Sequence, residues 1–207
     1  MSEPAPSASF IYLASQSPRR REMLEMMKVC FELLVADDDE DVEALEASRS
    51  NELPRAYVRR VTHLKAEAAI ERLLRRGWVP APILVGDTTV AVGPTILGKP
   101  ADADDARRML SMLSGRTHRV LTAIAVADGA RIETALSESR VRFRAIECDE
   151  RDTYIATGEP FGKAGAYAIQ GRAAAFVEHI SGSHSGIVGL PLFETAQLLK
   201  RFGIVPG

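Results

Sequence analysis

Along the chain, short apolar runs alternate with stretches whose apolar residues recur every three or four positions, the two periods that separate strands from helices. Residues 10–14 read as a strand, Ser15-Gln16-Ser17-Pro18 breaks it, and residues 19–28 carry Met23, Leu24 and Met27 at helical spacing. Ser17 suits the N-cap of that helix, and Pro18 its first position, where the missing N–H would have been unpaired anyway. Residues 31–35 predict a second strand, followed by an acidic run from Asp37 to Glu43. Pro54 opens a long helix with Val58, Val61, Leu64 and Ala68 on one side, ending at Gly77, where a left-handed cap costs a glycine nothing. Residues 83–85 and 89–92 read as two strand segments flanking Gly86-Asp87-Thr88, which places a carboxylate at a strand end. Gly93-Pro94 predicts a turn before Ile96-Leu97.

In the second half, Asp102 caps a helix over residues 103–113, with Asp105 three positions on and Gly115 beyond its end. Residues 118–127 and 132–146 are long β-type stretches joined by Asp128-Gly129, a hairpin signal. The later one sets Val141, Phe143 and Ala145 against Arg140, Arg142 and Arg144, the alternation of a half-exposed strand. A short helix near 149–158, a strand over 173–180 and an amphipathic helix over 190–202 complete the pattern. Strands mixed with helices and at least one antiparallel hairpin predict an α/β fold with a mixed sheet. Residues 1–9, rich in Pro, Ser and Ala, read as a disordered tail rather than a signal peptide, because they lack both a basic and an apolar region. No repeat or linker divides the remainder, so residues 10–207 are expected to form a single domain.

Composition narrows the function classes. The 207 residues are 46% hydrophobic and 26% charged, as in an ordinary globular protein. A net charge of −2 supplies no broad positive field, which argues against a nucleic-acid polymer as partner. No apolar run approaches the ~20 residues of a membrane span. Cys30 and Cys148 have no metal or redox spacing and read as reduced thiols, consistent with a cytoplasmic protein.

Several segments carry chemistry. Ser15-Gln16-Ser17-Pro18-Arg19-Arg20-Arg21 brings hydroxyls, helix N–H groups and arginines to the positive end of a helix dipole, an arrangement that attracts phosphate; the alternative is a well-capped helix with solvated arginines. Asp87 follows an apolar strand, where α/β sheets bind ligands, although an Asp can also simply start a turn. Lys99 stands where it can reach a phosphate or carboxylate across a hairpin. Lys65 borders an apolar helical stripe and reads first as an ordinary snorkelling lysine, second as a buried functional cation. The glycine-rich run 158–171 lacks the phosphate-loop spacing and suggests backbone approaching a flat ligand, or a plain turn cluster. Gly182-Ser183-His184-Ser185-Gly186 only superficially matches a nucleophile elbow, since a histidine replaces the serine. His179 and His184 lack helical zinc spacing and read as structural.

Together, Leu13-Ala14-Ser15-Gln16-Ser17-Pro18-Arg19-Arg20, Gly86-Asp87-Thr88-Thr89-Val90, Gly98-Lys99-Pro100 and Gly162-Lys163-Ala164-Gly165-Ala166-Tyr167-Ala168-Ile169-Gln170-Gly171 closely resemble the Maf family. Ser183 and Val188-Gly189-Leu190-Pro191-Leu192 fit as well, so the resemblance runs from about Ile11 to Phe202. It implies a fold akin to the inosine triphosphate pyrophosphatases, an elongated mixed sheet flanked by helices, with two lobes around a central cleft. The implied activity is cleavage of a nucleoside triphosphate between its α- and β-phosphates. Ala-Tyr-x-Ile-Gln in the glycine-rich loop resembles the dTTP/UTP subtype. The resemblance places the proton-accepting aspartate on Asp87 and the specificity positions on Arg19, Thr88 and Gln170. Phosphate-site residues fall on Ser15, Arg20, Lys65 and Lys99, and the metal carboxylates on Asp87 and Glu40. A divalent cation (Mg²⁺, Mn²⁺ or Co²⁺) and a homodimer are implied too. Gly86 departs from the family's frequent alanine, so looser packing beside Asp87 is expected. The alternatives are a housecleaning enzyme for modified pyrimidine nucleotides and a septum-formation regulator acting through protein contacts.

Overall fold

The computed structural model describes residues 10–37 and 40–207; the expected tail over residues 1–9 lies outside the described residues. Strand β1 (Ile11–Leu13) leads into helix α1 (Pro18–Met26), and strand β2 (Phe31–Leu33) follows. A 3-10 turn at Ala44–Glu46 precedes the long helix α2 (Pro54–Arg76), whose C-cap Gly77 takes the expected left-handed conformation at φ 61°. Strand β3 (Ile83–Val92) turns into β4 (Thr95–Leu97), then helix α3 (Ala103–Leu113). The hairpin β5 (Thr117–Asp128) and β6 (Arg131–Phe143) turns at Gly129, and helix α4 (Cys148–Ala156) carries a capping box between Glu147 and Glu150. Two 3-10 turns, strand β7 (Val177–Ser181) and helices α5 (His184–Val188) and α6 (Leu192–Arg201) close the chain.

The mixed α/β architecture expected above is present. Seven strands form one sheet in the order β2-β1-β3-β5-β6-β7, with β4 also paired to β3; β1 is parallel to β2 and β3, and the other pairings are antiparallel. Two sequence expectations change, and one element is added. The two segments around Gly86-Asp87-Thr88 are a single strand, because β5 pairs with it continuously from Ile83 to Ala91 and forces extended backbone through the polar residues. Residues 172–176 coil into a 3-10 turn before β7 begins at Val177. Residues 184–188 form a short helix of their own, capped by the Ser183 hydroxyl on the Gly186 N–H at 3.0 Å.

Alternation along β3 and β5 feeds different cores on the two faces. Leu84, Ile124 and Val126 join Leu24, Leu198 and Leu199 of α1 and α6, whereas Val85 and Ala125 pack under Ala66 and Ala69 of α2. Farther along the same strands, Val90, Val120, Val141 and Phe143 enter a third core with α3, α4 and the glycine-rich segment. Two lobes thus share the long central strands. Between them the sheet has a gap on one edge of β3. β1 pairs only up to Leu84, β4 pairs only from Val90, and among the described residues no strand covers Gly86 to Thr89 on that side.

Candidate active site

That gap opens into a cleft of about 680 Å³, lined by the β1–α1 loop, Lys65 and Arg72 of α2, the middle of β3, Lys99, the 162–170 loop and the end of α5. Ser15 stands at the carboxyl end of the parallel strand β1, the kind of place where open α/β sheets hold ligands. Asp87 reaches the cleft for another reason than the one read from the sequence: it lies in mid-strand, beside a missing neighbour.

The period of two along β3 separates the chemistry by face. Asp87 points with Val85 toward α2, and its carboxylate accepts from Lys65 Nζ at 2.6 Å. The same ammonium donates to Glu46 Oε1 at 2.7 Å, and Lys99 Nζ lies 3.1 Å from Glu46 Oε2. Lys65 is therefore a largely buried bridge between two carboxylates, with 14% of its side chain exposed, and not a snorkelling lysine. The packed stripe of α2 runs through Val58, Val61, Thr62, Ala66, Ala69, Arg72 and Leu73, with Leu64 and Ala68 only half-buried. Fully burying Val58 and Val61, about 1.5–3 kcal/mol each, fixes the helix rotation that delivers Lys65 and Arg72 to the sheet side.

Glu46 was not among the residues expected from the sequence. Its 3-10 turn is fastened to α2: Tyr57 Oη donates to the Glu46 carbonyl at 2.9 Å, and Arg60 Nη2 to the Ala47 carbonyl at 2.9 Å. Burial would raise the Glu46 carboxyl, but Lys65 and Lys99 outweigh it and hold the group below its ordinary range. Lys99 is raised in return, Glu46 and Glu43 overcoming the effect of burial. Burial and the charges of Asp87 and Glu46 push Tyr57 to about 12. Glu40 also lines the cleft, yet the structure ties it elsewhere: Arg72 Nε donates to Oε1 at 2.9 Å, and Arg75 binds it from the next turn. Hydrogen bonds from Arg72 draw the Glu40 carboxyl down to about 2 against the effect of burial, with Arg75 adding to the pull.

On the opposite face, Thr88 and Gly86 meet Arg20. Arg20 Nε donates to the Gly189 carbonyl at 2.9 Å, Nη1 to Ser15 Oγ at 3.2 Å and Nη2 to Thr88 Oγ1 at 3.5 Å. Desolvation lowers its pKa, opposed by the charge of Asp87. Arg19 Nε donates to the Val188 carbonyl at 3.2 Å, so the end of α5 orients both arginines. Ser17 is the N-cap of α1 but makes no side-chain cap bond. A methyl on Gly86 would lie 3.2 Å from the Ala123 carbonyl, 3.3 Å from Ile124 Cγ2 and 3.5 Å from Arg20 Nε. The strand is thus closely covered at Gly86, contrary to the looser packing expected there.

Gln170 is exposed at the far side of the cleft, on a loop fastened from below. Tyr167 Oη meets His118 Nε2 at 2.9 Å, and the Ala168 N–H donates to Tyr154 Oη at 3.3 Å. Glu159 accepts from Tyr154 Oη at 2.9 Å and from the Arg172 N–H at 3.0 Å. Burial lowers the His118 pKa to about 4, so the ring is neutral near pH 7. The key glycines here serve contacts within the protein: a Cβ on Gly165 would strike Val90 at 2.9 Å and one on Gly171 would strike the Glu159 carboxylate. Lys163, another cleft cation absent from the sequence expectations, is lowered by desolvation and by nearby Arg19. His179 and His184 are exposed and outside the cleft lining.

The cleft therefore gathers Ser15, Arg19, Arg20, Lys65, Asp87, Thr88, Lys99 and Gln170 around one volume, cationic donors facing a clasped carboxylate. Comparison with known proteins identifies the family. The sequence model of the family described as Maf-like protein matches residues 10–202. The chain belongs to the Maf family. A relative named dTTP/UTP pyrophosphatase from Albidiferax ferrireducens is 61% identical over 196 residues, spanning 95% of this chain and 98% of its own. One of the same name from Cupriavidus metallidurans is 62% identical with the same coverage. The Staphylococcus aureus Ham1 structure matches at a TM-score of 0.43 and 13% identity, over 64% of this chain and 71% of its own. For this Maf protein, the described residues contain no helix long and apolar enough to cross a membrane, and both Cys30 and Cys148 are free thiols.

Proposed function

We propose that this Maf protein hydrolyses dTTP and UTP to the nucleoside monophosphate and pyrophosphate. The observation that carries the reading is Asp87: a carboxylate 7% exposed, clasped by Lys65, in a cleft whose other wall is a helix start with Ser15 and Arg20. The names of the two relatives supply the substrate class.

Such a reaction runs on positioning and charge stabilisation. Ser15, Arg20 and the α1 N-terminus hold phosphate oxygens. Asp87 orients the attacking water and accepts its proton. Lys65 and Lys99 take up negative charge growing on the pyrophosphate. Arg19, Thr88 and Gln170 sort the nucleoside against a wall that includes Val90, Val120, Tyr167 and Ile187. Gln170 offers both donors and an acceptor to a pyrimidine edge.

The donor set fits a divalent cation. Asp87 and Glu46 converge on one ammonium, and a pair of carboxylates beside a phosphate site is what Mg²⁺ or Mn²⁺ accepts when phosphate oxygens and water complete its shell. Among the described residues no three His, Cys, Asp or Glu side chains converge, so Asp87 and Glu46 are the side chains that would hold the cation. Glu46 replaces Glu40 in this role because Glu40 is committed to Arg72 and Arg75. When bound, Mg²⁺, Mn²⁺ or Co²⁺ supplies Lewis-acid neutralisation of phosphate charge. The two free thiols support a cytoplasmic setting. The family resemblance supports a homodimer, which light scattering of the purified protein tests.

Pyrophosphate release from dTTP, UTP, CTP and their 5-methyl or pseudouridine forms, with and without each metal, tests the reading. Release from dTTP and UTP is expected; silence with every triphosphate overturns it, and preference for a modified base redirects it to housecleaning.

A further inference from the structure

Beneath Thr88 lies a hydroxyl that none of the roles above uses. Thr122 is directly opposite Thr88 in the β3–β5 ladder and is 1% exposed. Its Oγ1 stands 2.9 Å from Thr88 Oγ1 and 2.7 Å from the Gly186 carbonyl. A threonine hydroxyl has one hydrogen to give, and a carbonyl can only accept. Thr122 therefore spends its hydrogen on Gly186, and only its lone pairs face Thr88. Thr88 must then donate to Thr122. Of the two lone pairs that Thr88 then keeps, one accepts from Arg20 Nη2 at 3.5 Å, a group that can only donate, and the second is left to accept from a ligand. The order of the whole chain is set: Arg20 to Thr88, Thr88 to Thr122, Thr122 to the carbonyl of α5.

We infer that Thr122 is a specificity-determining positioning residue, which locks the Thr88 hydroxyl as a hydrogen-bond acceptor toward the nucleotide. This rests on the proposed pyrimidine triphosphate reading and deepens it. An acceptor at Thr88 suits the ring N3–H that uracil and thymine carry. Cytosine presents a bare ring nitrogen there, so two lone pairs would face each other. A hydroxyl whose proton is fixed by a buried partner rejects the wrong edge more sharply than a rotor, because rotation would leave the Gly186 carbonyl or Thr122 unsatisfied.

The test is Thr122→Val, which keeps the shape and deletes the hydroxyl, beside Thr122→Ser, which restores it. Melting temperature and circular dichroism establish that each variant is folded. Dissociation constants for the α,β-imido analogues of UTP and CTP are then compared with kcat and KM for UTP and CTP. The expected result is a wild-type preference for the uracil analogue that falls about tenfold in Thr122→Val, the size of one net hydrogen bond, and returns in Thr122→Ser. The change should appear in KM and in analogue binding, with kcat for UTP nearly kept. An unchanged ratio in folded Thr122→Val overturns the inference, as does equal weakening toward both analogues or a wild-type protein that binds both alike. Because binding is read without turnover, failure of the hydrolysis reading shows separately, as wild-type protein that binds UTP analogue but cleaves no triphosphate.

Discussion

Replacing Lys65 by Met removes the ammonium that touches Asp87 at 2.6 Å and Glu46 at 2.7 Å while keeping most of the side-chain stem. The side chains involved are 14%, 9% and 26% exposed, so neither bulk water nor a dry interior describes the site. Two carboxylates touching one nitrogen lie no more than about 5 Å apart, and without it they repel by roughly 3 kcal/mol at an effective dielectric of ~20. Breaking a buried pair costs on the order of 3–5 kcal/mol, so a loss of about 3 kcal/mol is expected. For a chain of this length that lowers Tm by roughly 6–12 °C. Adding Asp87→Asn to Lys65→Met removes the repulsion, so the double variant should recover about 1.5–2 kcal/mol relative to additivity. Urea unfolding of the two single variants and the double variant measures this cycle. Pyrophosphate release from UTP should fall at least about a hundredfold in Lys65→Met. A Lys65→Met protein that melts within 2 °C of wild type, by the ~2–4 °C per kcal/mol scale, or strictly additive variants, would refute the clasp.

The two acidic candidates should part company. Glu40, held near 2 by Arg72, has a folded pKa below its ordinary 4.5, so its stabilisation is complete above about pH 4.5 and fades as pH falls toward 2. Glu40→Gln should cost about 1–2 kcal/mol at pH 7 and match wild type near pH 2 in acid urea titrations, with its metal requirement unchanged. Glu46→Gln should instead raise the Mg²⁺ concentration for half-maximal activity by about tenfold or more; unchanged metal dependence contradicts the role given to Glu46. Gly86→Ala meets contacts of 3.2 to 3.5 Å and should cost under about 1 kcal/mol, raising KM more than kcat as Arg20 is displaced; a gain in stability would show that a void existed.

Much of this was legible in the chain because local chemistry and tertiary context agree. The turn at Ser15 to Pro18, the glycine cap at Gly77, the Asp102 cap and the Asp128-Gly129 hairpin each form where the residues favour them. Asp87 was readable as a residue of a ligand-binding cleft but misplaced along its strand, since pairing with β5 overrides the break that glycine and aspartate suggest locally. Lys65 and Arg72 carried a signal: both fall at helical spacing on the stripe of Val58, Val61 and Ala69. A cation inside such a stripe needs a buried partner, and that partner is non-local. Glu46 carried none, because choosing it among the neighbouring acids depends on Tyr57 and Arg60 reaching back from α2 to fix one turn. Thr122 was equally silent, one threonine among the apolar residues of a long strand.

The most direct test of the central claim is Asp87→Asn, assayed by single-turnover UTP hydrolysis together with equilibrium binding of the α,β-imido analogue. Asn keeps the volume and loses the proton acceptor. The variant should remain folded, bind the analogue within about tenfold of wild type, and release pyrophosphate at least ~10³-fold more slowly. A folded Asp87→Asn protein that cleaves UTP to UMP and pyrophosphate at the wild-type rate would contradict the account.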